Sequence, residues 1–268
     1  MKKFNTTSKK QDLYLGIICL LAGFAILANF FQLLPLKHQY GSFNFGETIL
    51  ITLNDSYTSF FTFPFLLSFF LMVLTPKEQN IFFLLTKFKS RRDYLKAKHA
   101  GILKNVLFYY SCICLFSIIV GIASSRFGTG ISDATREYAK IYLLGEFATN
   151  SLIWEIIKII ILQGLLLYFF TMVHLVLNQL NLSQVLVFII YTTILILNAG
   201  LGLGFFGKML EPFSVYVLAG SVCNHGLSFG LRLAILSVTD LILLVLYYGI
   251  FEKKDIVLPK GSKQYQNE

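Results

Sequence analysis

Charge is scarce in this chain. Only 14% of its 268 residues are Asp, Glu, Lys or Arg, against about 25% in a water-soluble domain. With 56% hydrophobic residues and a mean hydropathy of +0.68, the composition argues against a soluble enzyme. Catalytic constellations are lacking too. There is no HExxH and no adjacent glutamate pair, and Gly220-Ser221 has no histidine positioned on a neighbouring span, so the chain is not read as an enzyme. Metal ligands are short in number. Cys112 and Cys114 lie about 200° apart around a helix, Cys223 and His225 make only two potential ligands, and nothing brings His38 to them. Cys19, Cys112 and Cys114, inside apolar runs, read as small buried hydrophobes, and no metal is expected.

A nucleotide site is missing as well. Gly202-x-Gly204-x-x-Gly207 matches the dinucleotide pattern and Gly202 to Gly207-Lys208 nearly matches a phosphate loop. Both patterns need a strand before and a helix after, and Met209 stands where a Ser or Thr would hold Mg²⁺. The better reading is close helix contact over Gly200-x-x-x-Gly204. Internal repeats, low-complexity segments and long linkers are absent, so residues 1–268 form one transmembrane domain.

What the chain does have is long apolar runs. About 20 apolar residues cross a bilayer as a helix, and six stretches qualify: 13–34, 57–74, 105–125, 151–177, 185–206 and 233–251. Pro64 interrupts the second, Glu155 and Lys158 sit near the start of the fourth, and Asp240 is the single charge in the sixth. The expected fold is therefore all-α, with six transmembrane helices. Segments 1–12, 75–104, 178–184 and 252–268 hold 16 of the 23 basic residues but six of the 14 acidic ones, a net of +10 where the rest of the chain carries −1. The positive-inside rule then puts both termini in the cytoplasm. The basic balance reports topology and contact with anionic lipid, and no nucleic-acid partner is expected. Lys2, Lys3, Lys9 and Lys10 precede an apolar run too long for a secretory signal, with no small-residue cleavage site before Pro35, so the first helix is expected to be retained.

The 75–104 loop carries the most information. Ile81, Leu84, Leu85 and Phe88 fall on one helical face, with Glu78 near the start and Lys87 and Lys89 near the end, the order a helix dipole favours. Arg91-Arg92-Asp93-Tyr94-Leu95-Lys96-Ala97-Lys98 then leads into the third span. Pattern alone describes a helix on an anionic membrane surface or a docking element for a cytoplasmic partner.

The order Glu78, Phe83-Leu84-Leu85-Thr86, Ser90-Arg91-Arg92-Asp93-Tyr94-Leu95 and Lys98 resembles the loop between the second and third spans of ABC-2 type transporter permeases. It lacks a Gly-Thr before the leucine pair and a Pro before Ser90. The 207–231 connection, with its apolar 213–222 stretch, and the exit Phe251-Glu252-Lys253-Lys254-Asp255-Ile256 also resemble that family, whose members carry short re-entrant helices between spans five and six. The resemblance implies a bacterial cytoplasmic-membrane exporter subunit whose coupling helix, here Glu78, Leu84, Leu85, Arg91, Arg92, Asp93, Tyr94 and Lys98, contacts a separate ABC ATPase. It implies pairing with a second permease copy or a related permease. ATP and Mg²⁺ would sit in the partner, with no cofactor in this chain. The cargo would be amphipathic: peptide, antibiotic or lipid.

Asp240 is costly in lipid and is expected to face the bundle interior, a cavity, or a partner such as Arg232. Asn198 reads as interhelical glue and His174 as an interfacial side chain. Asp240, Asn198, Gly200 and Gly204 are the candidates for a substrate path or helix contact. The competing reading is an ATPase-independent membrane protein, either a secondary transporter or an immunity or assembly factor.

Overall fold

A computed structural model describes residues 2–41, 43–75, 88, 90–124, 128, 130–143, 145–147, 151–180, 182–207, 209–222 and 227–252. Every regular element among them is helical: α1 Lys2–Tyr40, α2 Phe45–Asn54, a π turn Thr58–Thr62, α3 Phe63–Leu74, α4 Arg91–Ser124, α5 Asp133–Tyr142, α6 Leu152–Gln179, α7 Gln184–Gly202, a 3₁₀ turn Glu211–Phe213, α8 Val215–Ala219 and α9 Phe229–Glu252. Five helices are long and apolar enough to cross a membrane, and six spans result if the bent pair α2–α3 counts as one. The chain is thus built as a membrane protein.

Apolar residues surround these helices, so burial is decided by stripes. In α1, Leu15, Ile18, Cys19, Ala22, Ile26, Asn29 and Leu33 are buried, while Leu13, Phe24 and Phe31 are exposed. The buried positions recur every three or four residues, one face of a helix, and the remaining apolar faces suit lipid. That stripe joins α2, α3, α4 and α6 in the largest core, built around Leu50, Leu67, Tyr109 and Leu167. A second core joins α6, α7, α8 and α9 through Leu166, Phe170, Tyr191, Tyr216 and Leu236. Helices α6 and α9 run parallel: Trp154 meets Phe229 near their starts, and Tyr168 and Tyr247 both meet His99 farther along.

The second span departs from expectation. Residues 45–54, expected in a loop, form α2, whose Glu47, Thr48, Thr52 and Asn54 are buried. Ten residues with an acid in the first turn give no spanning signal, but they carry a capping box: Asn44 Oδ1 accepts from Glu47 N at 2.9 Å and Glu47 Oε2 accepts from Asn44 N at 2.7 Å. Glu47 also accepts from the Ser132 amide, fastening the entry of α5.

Asp55 ends α2 in an extended conformation, and the chain bends by 51° before it resumes. The Asp55 carboxylate stabilises this break from both sides, accepting from Thr58 N at 2.7 Å and from the Tyr138 hydroxyl at 3.2 Å. Ser59 adds a bond from its hydroxyl to Thr52 O at 3.1 Å. Tyr138 belongs to α5, a short amphipathic helix within the expected 126–150 loop, which buries Ala134, Thr135, Tyr138 and Ala139. Burial and the adjoining Asp55 carboxylate push the Tyr138 phenol above its ordinary pKa.

The other spans differ chiefly at their ends. The third was expected from residue 105, but α4 begins fourteen residues earlier at Arg91 and runs unbroken. The fourth, fifth and sixth correspond to α6, α7 and α9.

Candidate functional site

The basic residues of the 75–104 loop divide at Ser90. Glu78, Leu84 and Leu85 lie outside the described residues. Arg91, Arg92, Asp93, Tyr94 and Lys98 form the first two turns of α4. The Ser90 hydroxyl accepts from Asp93 N at 3.1 Å and donates to Asp93 Oδ2 at 2.8 Å, so the start of the helix is capped by its own sequence. Arg91, Arg92 and Asp93 are exposed, whereas Tyr94 and Leu95 are buried in the main core. Tyr94 also meets the Phe88 ring at 5.5 Å, and Lys98 Nζ lies 5.7 Å from the Tyr94 centroid. The pattern puts charge outward over a ridge that grips the bundle.

The other end of this loop is held by residues with no motif. Thr75 closes α3, its Oγ1 donating to Leu71 O at 2.6 Å and standing 3.0 Å from His174 Nε2 on α6. Its carbonyl accepts from Asn178 Nδ2 at 3.3 Å and Gln184 Nε2 at 3.2 Å. Three side chains from α6 and α7 therefore converge on one residue at the mouth of the loop. His174, expected at an interface, is buried in this clasp because its ring nitrogen finds a partner inside the bundle. Only the pairing across nearly a hundred residues identifies it, and no local pattern announces that.

Asp240 is buried on α9, 4% exposed, and neither carboxylate oxygen has a hydrogen-bond partner among the described residues. The expected partner Arg232 donates instead to the carbonyls of Gly220 and Leu227. Asp240 lies within electrostatic reach of Tyr168, whose hydroxyl is 3.2 Å from His99 Nε2. Helices α4, α6 and α9 thus bring His99, Tyr168 and Asp240 into one polar strip of the interior. Gln163 on α6 is buried with its amide nitrogen unpartnered among the described residues. His99 and Tyr168 escaped the sequence reading because each is ordinary on its own helix.

Asn198 ties α7 to α8: its Oδ1 accepts from Val215 N at 3.4 Å, and its backbone oxygen accepts from the Ser214 hydroxyl at 3.0 Å. The glycines beyond it end the helix. Gly204 has φ +73°, its amide bonds Leu201 O at 3.1 Å, and Phe205 N bonds Gly200 O at 2.9 Å. That pair of bonds is a Schellman stop, which ends α7 and turns the chain. Within this chain a Cβ on Gly200 would meet Phe206 at 2.8 Å, and one on Gly204 would meet Glu211 Oε1 at 2.5 Å. The contacts are with the returning connection, because the left-handed turn folds it back on the helix end.

This return makes one wall of a cleft of about 220 Å³ beside the break that follows α2. The break after α2 supplies Tyr57, Phe60 and Phe61, α5 supplies Tyr142, and the 203–222 connection supplies Glu211 and Tyr216. Cys223 and His225, and the first part of the loop before Ser90, lie outside the described residues. No family model, curated protein or solved structure matches the chain.

Proposed function

We propose that the chain is the membrane-spanning permease subunit of an ABC-2 type exporter, working in the bacterial cytoplasmic membrane with both termini inside. It would pair with a second permease and with a separate ATPase that binds ATP and Mg²⁺. The observation that carries this reading is how the two ends of the 75–104 loop are attached. At one end, exposed Arg91, Arg92 and Asp93 open a capped helix that continues without interruption through the bundle. At the other, Thr75 is clasped to α6 and α7. A partner that moved the loop would act on rigid elements at both ends. Transport further requires that the partner contact differ between the two states of the bundle. The apolar interior and the aromatic wealth of the chain suit an amphipathic cargo.

Mild-detergent affinity purification of the tagged chain, with mass spectrometry of what accompanies it, tests the proposal. A stoichiometric ATPase is the expected result. Intact six-span protein recovered repeatedly without one would overturn it.

One observation favours a second reading, an ion-coupled secondary transporter. Such proteins combine broken helices with buried charges, and this chain has a 51° break at Asp55 and a buried carboxyl at Asp240 with no hydrogen-bond partner among the described residues. Transport into proteoliposomes driven by an ion gradient alone, without nucleotide, would select it.

A further inference from the structure

We propose that Asp240, Tyr168 and His99 form a proton site in the bundle interior. Asp240 takes up and releases one proton, and Tyr168 and His99 carry it to the end of α4 that bears Arg91 and Arg92. The site works in the same way whether nucleotide or an ion gradient drives the bundle.

The surroundings of the carboxyl select the ligand. Asp240 is buried on α9, and neither oxygen has a hydrogen-bond partner among the described residues. Helices α4, α6 and α8 pack against α9. From α6, Tyr168 lies within electrostatic reach of the carboxyl, and from α4, His99 meets the Tyr168 hydroxyl. From α8, Tyr216 donates its hydroxyl to Leu195 O at 3.0 Å. The other buried charges on these helices are engaged elsewhere. Lys158 Nζ donates to Glu155 Oε1 at 2.6 Å, and Arg232 donates to the carbonyls of Gly220 and Leu227. A carboxylate placed like this is costly until something neutralises it. A metal ion would need several oxygen ligands, and among the described residues no group of three His, Cys, Asp or Glu side chains is placed to hold one. A proton needs only the carboxyl itself.

The neighbours of the carboxyl supply the route. The Tyr168 hydroxyl is 3.2 Å from His99 Nε2. The rings of Tyr168, Tyr247 and Tyr248 stand around the imidazole at 6.0, 6.2 and 6.5 Å between centroids, which fixes its place. His99 is half-buried, about two turns along α4 from Arg92, and its neighbour Ala100 is exposed. The strip therefore runs from a carboxyl sealed in the interior to an imidazole at the margin of the bundle. Buried acids aligned with histidine inside a membrane bundle are the parts of a proton relay. A proton entering at His99 leaves Nε2 for the Tyr168 oxygen as the hydroxyl's own proton passes to the Asp240 carboxylate. One proton moves, and the imidazole and phenol are left neutral. A rotation of the carboxyl or one intervening water closes the step from Tyr168 to Asp240.

The test is infrared spectroscopy of the purified full-length chain in a detergent that carries no carbonyl group. The parent should show a protonated-carboxyl C=O band that is lost as the pH rises and shifts on transfer to D₂O. Asp240→Asn should remove this band and Asp240→Glu should move it. After the transfer, the shift should be about a hundredfold slower in Tyr168→Phe and in His99→Ala, the usual scale for losing a positioned proton carrier. Free imidazole should restore the rate in His99→Ala, which it would not do for a residue that only held helices together. A spectrum left unchanged by Asp240→Asn would overturn the site, as would a band that neither titrates nor exchanges. Exchange as fast as the parent's in both relay variants would overturn the route. These readouts use no cargo, ATPase or gradient, so they are decided separately from the mode of transport.

Discussion

Thr75 and His174 meet side chain to side chain, Oγ1 to Nε2 at 3.0 Å, across 99 positions of sequence. The contact fastens the residue that caps α3 to α6, and α6 to the start of the loop that the proposed ATPase would engage. Replacing Thr75 with Val leaves the buried imidazole without this partner. We expect a loss of about 1 kcal/mol in thermal unfolding of the detergent-solubilised protein, typical of a polar contact inside a helical bundle. If the clasp also transmits force, Thr75→Val should reduce transport more than it reduces ATPase association. Equal losses in the two assays would assign Thr75 a purely structural part.

At the start of α4, charge and stability separate. Arg91, Arg92 and Asp93 are exposed, and Tyr94 and Leu95 hold the helix in the core. Changing the three charged residues to Ala should therefore cost no more than about 1 kcal/mol, with the Asp93–Ser90 contact among the losses. The same change should strip the ATPase from the purified complex. Retained association together with retained transport would rule out their docking role.

Gly204 permits a sharper test of backbone geometry. Its φ of +73° is unfavourable for a residue with a Cβ, and that atom would fall 2.5 Å from the Glu211 carboxylate. We expect Gly204→Val to destabilise by at least about 2 kcal/mol and Gly204→Asn by distinctly less, since Asn tolerates the left-handed region. Melting temperatures of the two variants give the comparison. A Val variant as stable as the parent would contradict the Schellman stop.

Asp240 should behave in the opposite way. Neither of its oxygens has a hydrogen-bond partner among the described residues, so the carboxyl adds little to the fold that an amide of the same shape would not. Asp240→Asn is expected to be as stable as the parent or more so. Normal folding with full export would remove Asp240 from the transport path, and normal folding with lost ion-driven uptake would support the second reading.

The break at Asp55 provides a fifth stability test. Asp55→Ala removes the acceptor for Thr58 N and for the Tyr138 hydroxyl together, for an expected cost of about 2–3 kcal/mol. Tyr138→Phe removes only the second and should cost about 1 kcal/mol. A double variant no worse than Asp55→Ala would show that both act at one junction.

The long spans were legible because an uninterrupted apolar run has few other uses, and α6, α7 and α9 follow their runs within a few residues. Helix α2 was not legible as a span, because Glu47 and Asn54 made it look like a loop. Its Asn44–Glu47 capping box was nonetheless a local signal for a helix start. Gly200 and Gly204 illustrate a spacing with two uses. The same spacing serves a contact between helices and the end of one helix, and only backbone angles distinguish them. The cleft was hidden by its construction: Tyr57 opens an apolar run, and Tyr142 and Tyr216 come from two segments that each read alone as a connection. Thr75, His99, Tyr168 and His174 gain meaning only through partners brought near by folding.

The uninterrupted length of α4 has a mechanical consequence. Its 34 residues measure about 51 Å at the usual helical rise, against about 30 Å of bilayer hydrocarbon. Some 20 Å of stiff helix must therefore tilt or project beyond the lipid tails. A tilt of about 5° around its far end would sweep the arginine tip through about 4 Å. Read as a lever, α4 would convert a displacement of a few ångströms at the tip into a small rotation where it packs against α1 and α2, so its straightness and length matter as much as any side chain it carries.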